Sequence, residues 1–319
     1  IMAMNKDKVE APVVEAIDIE RLDELTGDPR VDQAKRNVKE ALVKMALHSD
    51  SRRDDRNKLG VSSVIEYELA SMAVWELVDE GIDTMCLELK PDGIMRLRAN
   101  IDFVGGEGVV ITMFGLTHEI FHALYIIWDR KADGGGFLAE YMGDPLFKTQ
   151  ALEYFINWRV MKLYGMKTMP DVGDRGEPLG LMDPLKAYAS VRKHLGDQGP
   201  SNIDEFLATP ETCYSWLKRL PKPPKQRHSD FCNHDRGEQG GAGDGQGQSI
   251  DADEMEHIID QVLDSVMSRA LRGDEAARES LLDFGEILGG EGSKFWSDFG
   301  LGQLLGKKLP PVKVRLWEA

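Results

Sequence analysis

The chain has 319 residues, long enough for one large domain or two modest ones, and its 42% hydrophobic and 29% charged residues are typical of globular proteins. Lys and Arg number 39 against 55 Asp and Glu, which gives a formal net charge of -16. This acidic balance disfavours nucleic acid and anionic membrane surfaces as partners, because it repels phosphate groups.

Cysteine usage and hydropathy indicate a cytoplasmic protein. The three cysteines have no short spacing, so we expect reduced thiols rather than disulfides or a zinc knuckle. The amino terminus lacks the apolar run of a signal peptide. The most apolar stretch, residues 109–128, is interrupted by His118, Glu119 and His122, and this pattern favours a core helix over a membrane span.

The first third of the chain predicts two helices. The apolar spacing over residues 29–48 indicates a helix capped by Asp28. The charged residues 50–57 are expected to form a solvated loop. A second helix is predicted to start after Ser62 or Ser63 and to run through Leu77 to a stop at Gly81.

The hydrophobic period then changes to that of strands. Residues 84–90 and 94–103 predict two strands, separated by a Pro-Asp-Gly turn at 91–93 that is typical of a hairpin. A helix over residues 107–129 is expected next, followed by a glycine-rich loop at 134–136. A further helix, over residues 147–164, should end at Gly165.

The remaining elements define the expected domain organisation. Helices are predicted to open at Asp183-Pro184, at Ser201 and at Thr209-Pro210. Residues 221–250, rich in Pro and then in Gly, predict a flexible linker, and helices follow over 252–271 and 274–288. We therefore expect a core over residues 1–220, a linker over 221–250, and a helical segment over 251–319 that packs on the core.

The strongest indication of a metal site is the sequence His118-Glu119-Ile120-Phe121-His122, which has the HExxH pattern on a predicted helix. Residues four apart share one face, so both imidazoles can bind a single zinc ion. Glu119 would lie beside the metal and act as the general base for a water molecule. The alternative is a pair of core histidines held by ordinary hydrogen bonds.

A third ligand is expected from the following helix. Glu153 and Asn157 are four residues apart and share a face, so Glu153 can complete a His-His-Glu zinc site. Asn157 would then orient Glu153 or a histidine by hydrogen bonding. Other carboxylates stay open as substitutes for Glu153, namely Asp129, Glu140 and Asp144. Tyr154 is a weaker candidate for stabilising an oxyanion.

These motifs resemble one protein family. Asp92-Gly93, the strand to Asn100-Ile101-Asp102-Phe103, the stretch Leu116 to His122 and the stretch Leu152 to Asn157 are similar to the metallopeptidase-like domain that precedes von Willebrand factor A-like domains in bacterial and phage proteins. Glu153 fills the acidic position of the second motif. His234 and Asp235 weakly match a downstream His/Asp-rich patch of that family.

The resemblance implies a fold and a set of partners. The expected fold class is α+β, a mostly helical zincin-like domain with a small sheet or hairpin packed on the HExxH helix. The HExxH pattern predicts a protein or peptide substrate, while the resemblance implies an AAA-ATPase or an A-like-domain protein as a partner.

Three functions remain open at this point. The leading hypothesis is a zinc metallopeptidase in which His118, His122 and Glu153 hold Zn2+ and Glu119 activates water. The second is a catalytically silent interaction module on a zincin scaffold, associated with a phage particle or an ATPase. The third, a nucleic-acid-associated protease, is disfavoured by the acidic composition and by the lack of a downstream cysteine cluster.

Overall fold

The fold is taken from a computed structural model of the chain. It describes residues 13–17, 22–48, 63–82, 84–89, 94–131, 145–170, 181–222 and 252–289. The predicted charged loop at 50–57, the turn at 91–93, the glycine-rich loop at 134–136, nearly all of the 221–250 linker, and His234 and Asp235 lie outside these residues.

The described residues form four strands and a larger set of helices. The strands are β1 (Val13–Ile17), β2 (Val74–Val78), β3 (Met85–Leu89) and β4 (Met95–Asn100). The longer helices are α1 (Pro29–His48), α2 (Val64–Met72), α4 (Val109–Lys131), α5 (Pro145–Leu163), α6 (Pro184–Leu195), α9 (Ala252–Leu271) and α10 (Glu275–Gly289). The shorter ones are α3 (Ile101–Gly106), α7 (Ile203–Phe206) and α8 (Pro210–Leu217). The α+β class is therefore confirmed, with helices predominating and a small sheet.

The four strands form one mixed sheet in the order β1-β2-β4-β3. β2 and β4 are parallel, while β1 pairs with β2 and β3 pairs with β4 in antiparallel fashion. Trp75 and Leu97 are paired in the β2–β4 register, and both are fully buried in the main core. Glu76 lies on the opposite face, where its carboxylate forms salt bridges with Arg96 at 3.0 Å and with Arg98 at 3.4 Å. The sheet thus presents an apolar face to the helices.

The helix predicted from Ser63 to Gly81 is wrong beyond Met72. Ala73 is extended, with φ -77 and ψ 138, and the chain continues as β2. Val74, Trp75 and Val78 are β-branched or aromatic, and β1 and β4 satisfy the backbone of β2 from both sides. Leu77 fits a helical spacing as well as an alternating one, and this ambiguity misled the prediction.

The second predicted strand is also too long. β4 ends at Asn100, whose side-chain oxygen accepts a hydrogen bond from the Phe103 amide at 3.0 Å and so caps α3. The antiparallel pairing of the two predicted strands is confirmed.

Several predicted helix ends are confirmed by their caps. Asp28 accepts a hydrogen bond from the Arg30 amide at 2.8 Å at the start of α1. The side chains of Asp183 and Thr209 cap α6 and α8, each followed by proline, while α7 is capped by Asn202 rather than Ser201. Gly165 follows α5 with φ 62, so the predicted stop is a glycine in the left-handed region.

The α4 helix lies at the centre of the fold. Residues from β3, α1, α2, α5 and α9 contact it, and its buried apolar side chains join one core cluster with the sheet and the carboxyl-terminal helices. A second apolar cluster is built from α5 to α8, around Tyr154, Phe206 and Cys213. None of the described helices combines the length and the hydropathy that crossing a membrane requires.

A buried carboxyl group lies where α2 meets the carboxyl-terminal helices. Glu66 is 3% exposed. Burial raises the pKa of Glu66 from 4.5 to about 8, and the nearby carboxylate of Asp283 in α10 adds to this shift. Below pH 4.5 the side chain is protonated in both the folded and the unfolded chain. Between pH 4.5 and 8 the unfolded chain ionises first, so the free energy of unfolding decreases as the pH rises.

We predict that Glu66→Gln removes this pH dependence. The slope for one proton is roughly 1.4 kcal/mol per pH unit, so the variant should gain about 3 kcal/mol over the wild type between about pH 5 and pH 7.5. Urea denaturation at the two pH values measures this gain. Glu80→Gln, at an exposed position, is the control and should leave the wild-type slope unchanged. Equal slopes in wild type and Glu66→Gln would contradict the assignment.

Candidate metal centre

The HExxH residues lie in the buried middle of α4. His118 is 2% exposed, Glu119 0% and His122 6%, and the two histidines lie one helical turn apart. The ring centroids are 4.6 Å apart, and the Nε2 atoms approach to 3.0 Å. Both imidazoles therefore direct one nitrogen toward the same point inside the protein.

Glu153 reaches this point from α5. Its Oε1 lies 3.2 Å from His122 Nε2, and its Oε2 lies 3.4 Å from His118 Nε2. Since His118 also contacts Asn157 while His122 contacts Glu153, the two helices run antiparallel at the site. The structure thus brings together the two histidines and the carboxylate that the sequence singled out.

The spacing of the three side chains fits a small metal ion. Zinc bonds of about 2.1 Å in tetrahedral geometry separate the ligand atoms by about 3.4 Å. Potential ligand atoms of His118, His122 and Glu153 all lie within 4.8 Å of one another, and their closest separations are 3.0 to 3.4 Å. In the described part of the chain, these residues form the one cluster of this kind.

Asn157 determines which ring nitrogen of neutral His118 carries the proton. Its Nδ2 donates to the Met182 carbonyl at 2.9 Å, so its Oδ1 must face His118 Nδ1 at 2.8 Å as an acceptor. His118 therefore donates from Nδ1 and, when neutral, keeps a lone pair on Nε2. The hydrogen bond between Asn157 and a histidine is the contact that the spacing predicts, and its role in orienting a metal ligand stays a prediction.

Electrostatics favour the neutral form of His118. Burial lowers the pKa of His118 below its ordinary value of 6.5, although the carboxylate of Glu153 opposes the shift. A neutral imidazole is the form that binds a metal ion. Near neutral pH His118 can therefore bind a metal ion without first losing a proton.

A second hydrogen bond between the helices lies next to the ligands. Thr117 Oγ1 lies 2.7 Å from the hydroxyl of Tyr164 and 2.9 Å from the Met113 carbonyl. Tyr164 directly follows α5, and the Gly165 and Met166 amides bond back to that helix, which pins the end of the helix. This contact fixes α4 against α5 along their axes. Sequence reasoning missed it, because the two side chains meet only once that axial register is known.

The other candidate residues are not members of the three-residue cluster, or their side chains lie outside the described part of the chain. Glu119 is buried one residue from His118 and is not among the three potential ligands. Tyr154 packs in the second apolar cluster, where burial raises the pKa of its hydroxyl. Its role as an oxyanion donor stays a prediction. The side chains of the substitute ligands lie outside the described part, namely Asp129, Glu140 and Asp144.

Comparison with protein-family models, with curated proteins and with solved structures finds no match to this chain. The family resemblance of the motifs, and the zincin-like fold that it implies, therefore stay predictions. The metal centre rests on the geometry of its own residues.

We predict that Asn157→Ala weakens zinc binding on the order of 10–100-fold, because His118 loses the partner that orients its ring. Competition with a chromophoric chelator measures the affinity. Asn37→Ala is a matched control, since Asn37 is also a buried helical amide that donates to a backbone carbonyl, here that of Val104 at 2.7 Å. The control should lower stability while keeping zinc affinity within about twofold. Equal zinc losses in both variants would count against the orienting role.

Proposed function

We propose that this protein is a zinc-dependent peptidase. The observation that carries the proposal is the convergence of His118, His122 and Glu153, with the buried Glu119 directly after the first histidine in α4. A bound zinc ion would supply Lewis acidity and would lower the pKa of a water molecule to about 7.

Within this proposal each residue has a distinct task. His118, His122 and Glu153 would hold the ion, and Asn157 would keep the His118 lone pair directed at it. Glu119 would take a proton from the water molecule as the water oxygen bonds to the peptide carbonyl carbon. It would return that proton to the nitrogen as the C–N bond breaks, which leaves a carboxylic acid and an amine. The low dielectric of the buried site would strengthen the electrostatic interactions on which both proton transfers depend.

The sheet supports a peptide as the substrate class. β3 contacts α4, and it is an edge strand that pairs with β4 on one side. Within the described residues, no strand pairs with its other edge. An extended peptide can add to such an edge by main-chain hydrogen bonds, which would place its backbone beside the helix that carries the histidines. The resemblance of the motifs to a metallopeptidase-like family agrees with this choice.

A second candidate function is a catalytically silent interaction module that keeps the metal as a structural element. The burial of the site favours it, since Glu119 is 0% exposed and all three ligands are below 9%. A substrate would have to reach side chains of which less than a tenth is exposed. The two candidates share the metal and differ in the task of Glu119.

We predict that Glu119→Gln keeps zinc and loses hydrolysis by about 10²–10⁴-fold, because glutamine cannot accept the proton of the attacking water. Zinc content and cleavage of a quenched fluorescent peptide library are measured on the same samples. Glu66→Gln is the matched control, because it also replaces a buried helical glutamate by glutamine but lies on α2. The control should keep full activity.

Two outcomes would overturn this account. Undiminished hydrolysis by zinc-loaded Glu119→Gln would refute the role of Glu119. A wild-type protein that holds zinc firmly but cleaves no member of the library would favour the silent module.

A further inference from the structure

Gln150 is a buried amide that the metal centre does not use. It lies on α5, its side chain is 4% exposed, and its Oε1 is fully buried. Within the described part of the chain this oxygen has no hydrogen-bond partner. Buried side-chain amides in folded proteins nearly always have one, so the orphaned group requires an explanation.

Helical periodicity puts Gln150 on the face of α5 that forms the centre. It precedes Glu153 by three residues and Asn157 by seven, so the three positions form one stripe along the helix. Because α4 and α5 run antiparallel, the turn of α5 that carries Gln150 lies beside the turn of α4 that follows His122. Gln150 therefore occupies the next position along the interface after the metal ligands.

The neighbouring turn of α4 is also polar. Tyr125, three residues after His122, is 5% exposed, and its hydroxyl donates to Glu211 Oε1 of α8 at 3.4 Å. Hydrogen-bonding side chains thus continue past the ligands at this end of the centre. At the other end, Thr117 and Tyr164 already satisfy one another at 2.7 Å.

Several other buried polar atoms of the described residues also lack a hydrogen-bond partner, and the two that belong to uncharged side chains do not share this position. Trp75 Nε1 belongs to the sheet, and the Tyr154 hydroxyl lies in the second apolar cluster, about 100° around α5 from Glu153. Gln150 combines an orphaned amide with a place on the stripe of the metal ligands.

We propose that the Gln150 carboxamide binds the main chain of a peptide held at the metal centre. A carboxamide offers one acceptor and two donors, so it can pair with the N–H and the C=O of one residue in an extended peptide, which point to the same side. The orphaned oxygen would then find its partner in the ligand rather than in the protein. The proposal rests on the proposed function, because it assigns a residue that recognises the backbone of that peptide substrate.

The test compares two zinc-directed probes on zinc-loaded protein. Acetohydroxamate carries only the chelating group. The second probe is a tripeptide hydroxamate, chosen as the tightest binder from a mixed set, and it adds peptide groups to the same chelating group. We expect Gln150→Leu and Gln150→Met to weaken binding of the tripeptide hydroxamate at least tenfold, because the loss of one hydrogen bond alone accounts for about tenfold. Acetohydroxamate and zinc should bind as in wild type, and the melting temperature should not fall.

A control variant separates a specific role of Gln150 from a general effect of substitution. Gln261→Leu, at an exposed position on α9, is the control and should leave both hydroxamates unaffected. Unchanged tripeptide binding in the Gln150 variants, an equal loss for both probes, or a lower melting temperature would overturn the proposal. So would a zinc-loaded wild type that binds no tripeptide hydroxamate more tightly than acetohydroxamate.

The peptidase function can fail separately from this inference. If the wild type cleaves no peptide but Gln150 still discriminates between the two probes, the protein binds peptides without hydrolysing them. If hydrolysis is found and Gln150 does not discriminate, the peptide backbone is recognised elsewhere.

Discussion

The antiparallel contact between α4 and α5 is the constraint on which the site depends. It holds His118, His122 and Glu153 within 3.0 to 3.4 Å of one another in the protein interior. Removing a carboxylate from water is costly unless a cation or hydrogen bonds compensate for the lost hydration. With the pKa of His118 lowered by burial, a metal ion is a partner that would satisfy both the Glu153 carboxylate and the lone pair of His118.

The rest of the fold limits how far these two helices can move. The sheet, α1, α2 and α9 surround α4, while the second apolar cluster holds α5 from its other side. Asn157 forms hydrogen bonds with His118 and with the Met182 carbonyl just before α6. Because Met182 belongs to the second apolar cluster, that cluster also helps to fix the orientation of His118. Ligands placed on packed helices are held more accurately than ligands on loops, which suits a site that must fit an ion within a few tenths of an ångström.

The sequence singles out the side chains that converge at the candidate metal centre, because both pairs of site residues follow a helical spacing of four, which does not depend on how the helices pack. Helix ends marked by Asp28, Asp183 and Gly165 are predicted for the same local reason. β2 is missed, since its apolar residues fit two periods and its pairing with β1 and β4 is non-local. The Thr117–Tyr164 bond and the orphaned amide of Gln150 depend on the axial register of two helices, which no local pattern records.

Anomalous diffraction at the zinc edge, from crystals of the purified protein equilibrated with stoichiometric zinc, tests the central claim most directly. The account predicts one strong peak per chain, bonded to Nε2 of His118, Nε2 of His122 and a carboxylate oxygen of Glu153 at about 2.1 Å. A peak held by other side chains, or these three residues ordered in such crystals with no anomalous density between them, would contradict it.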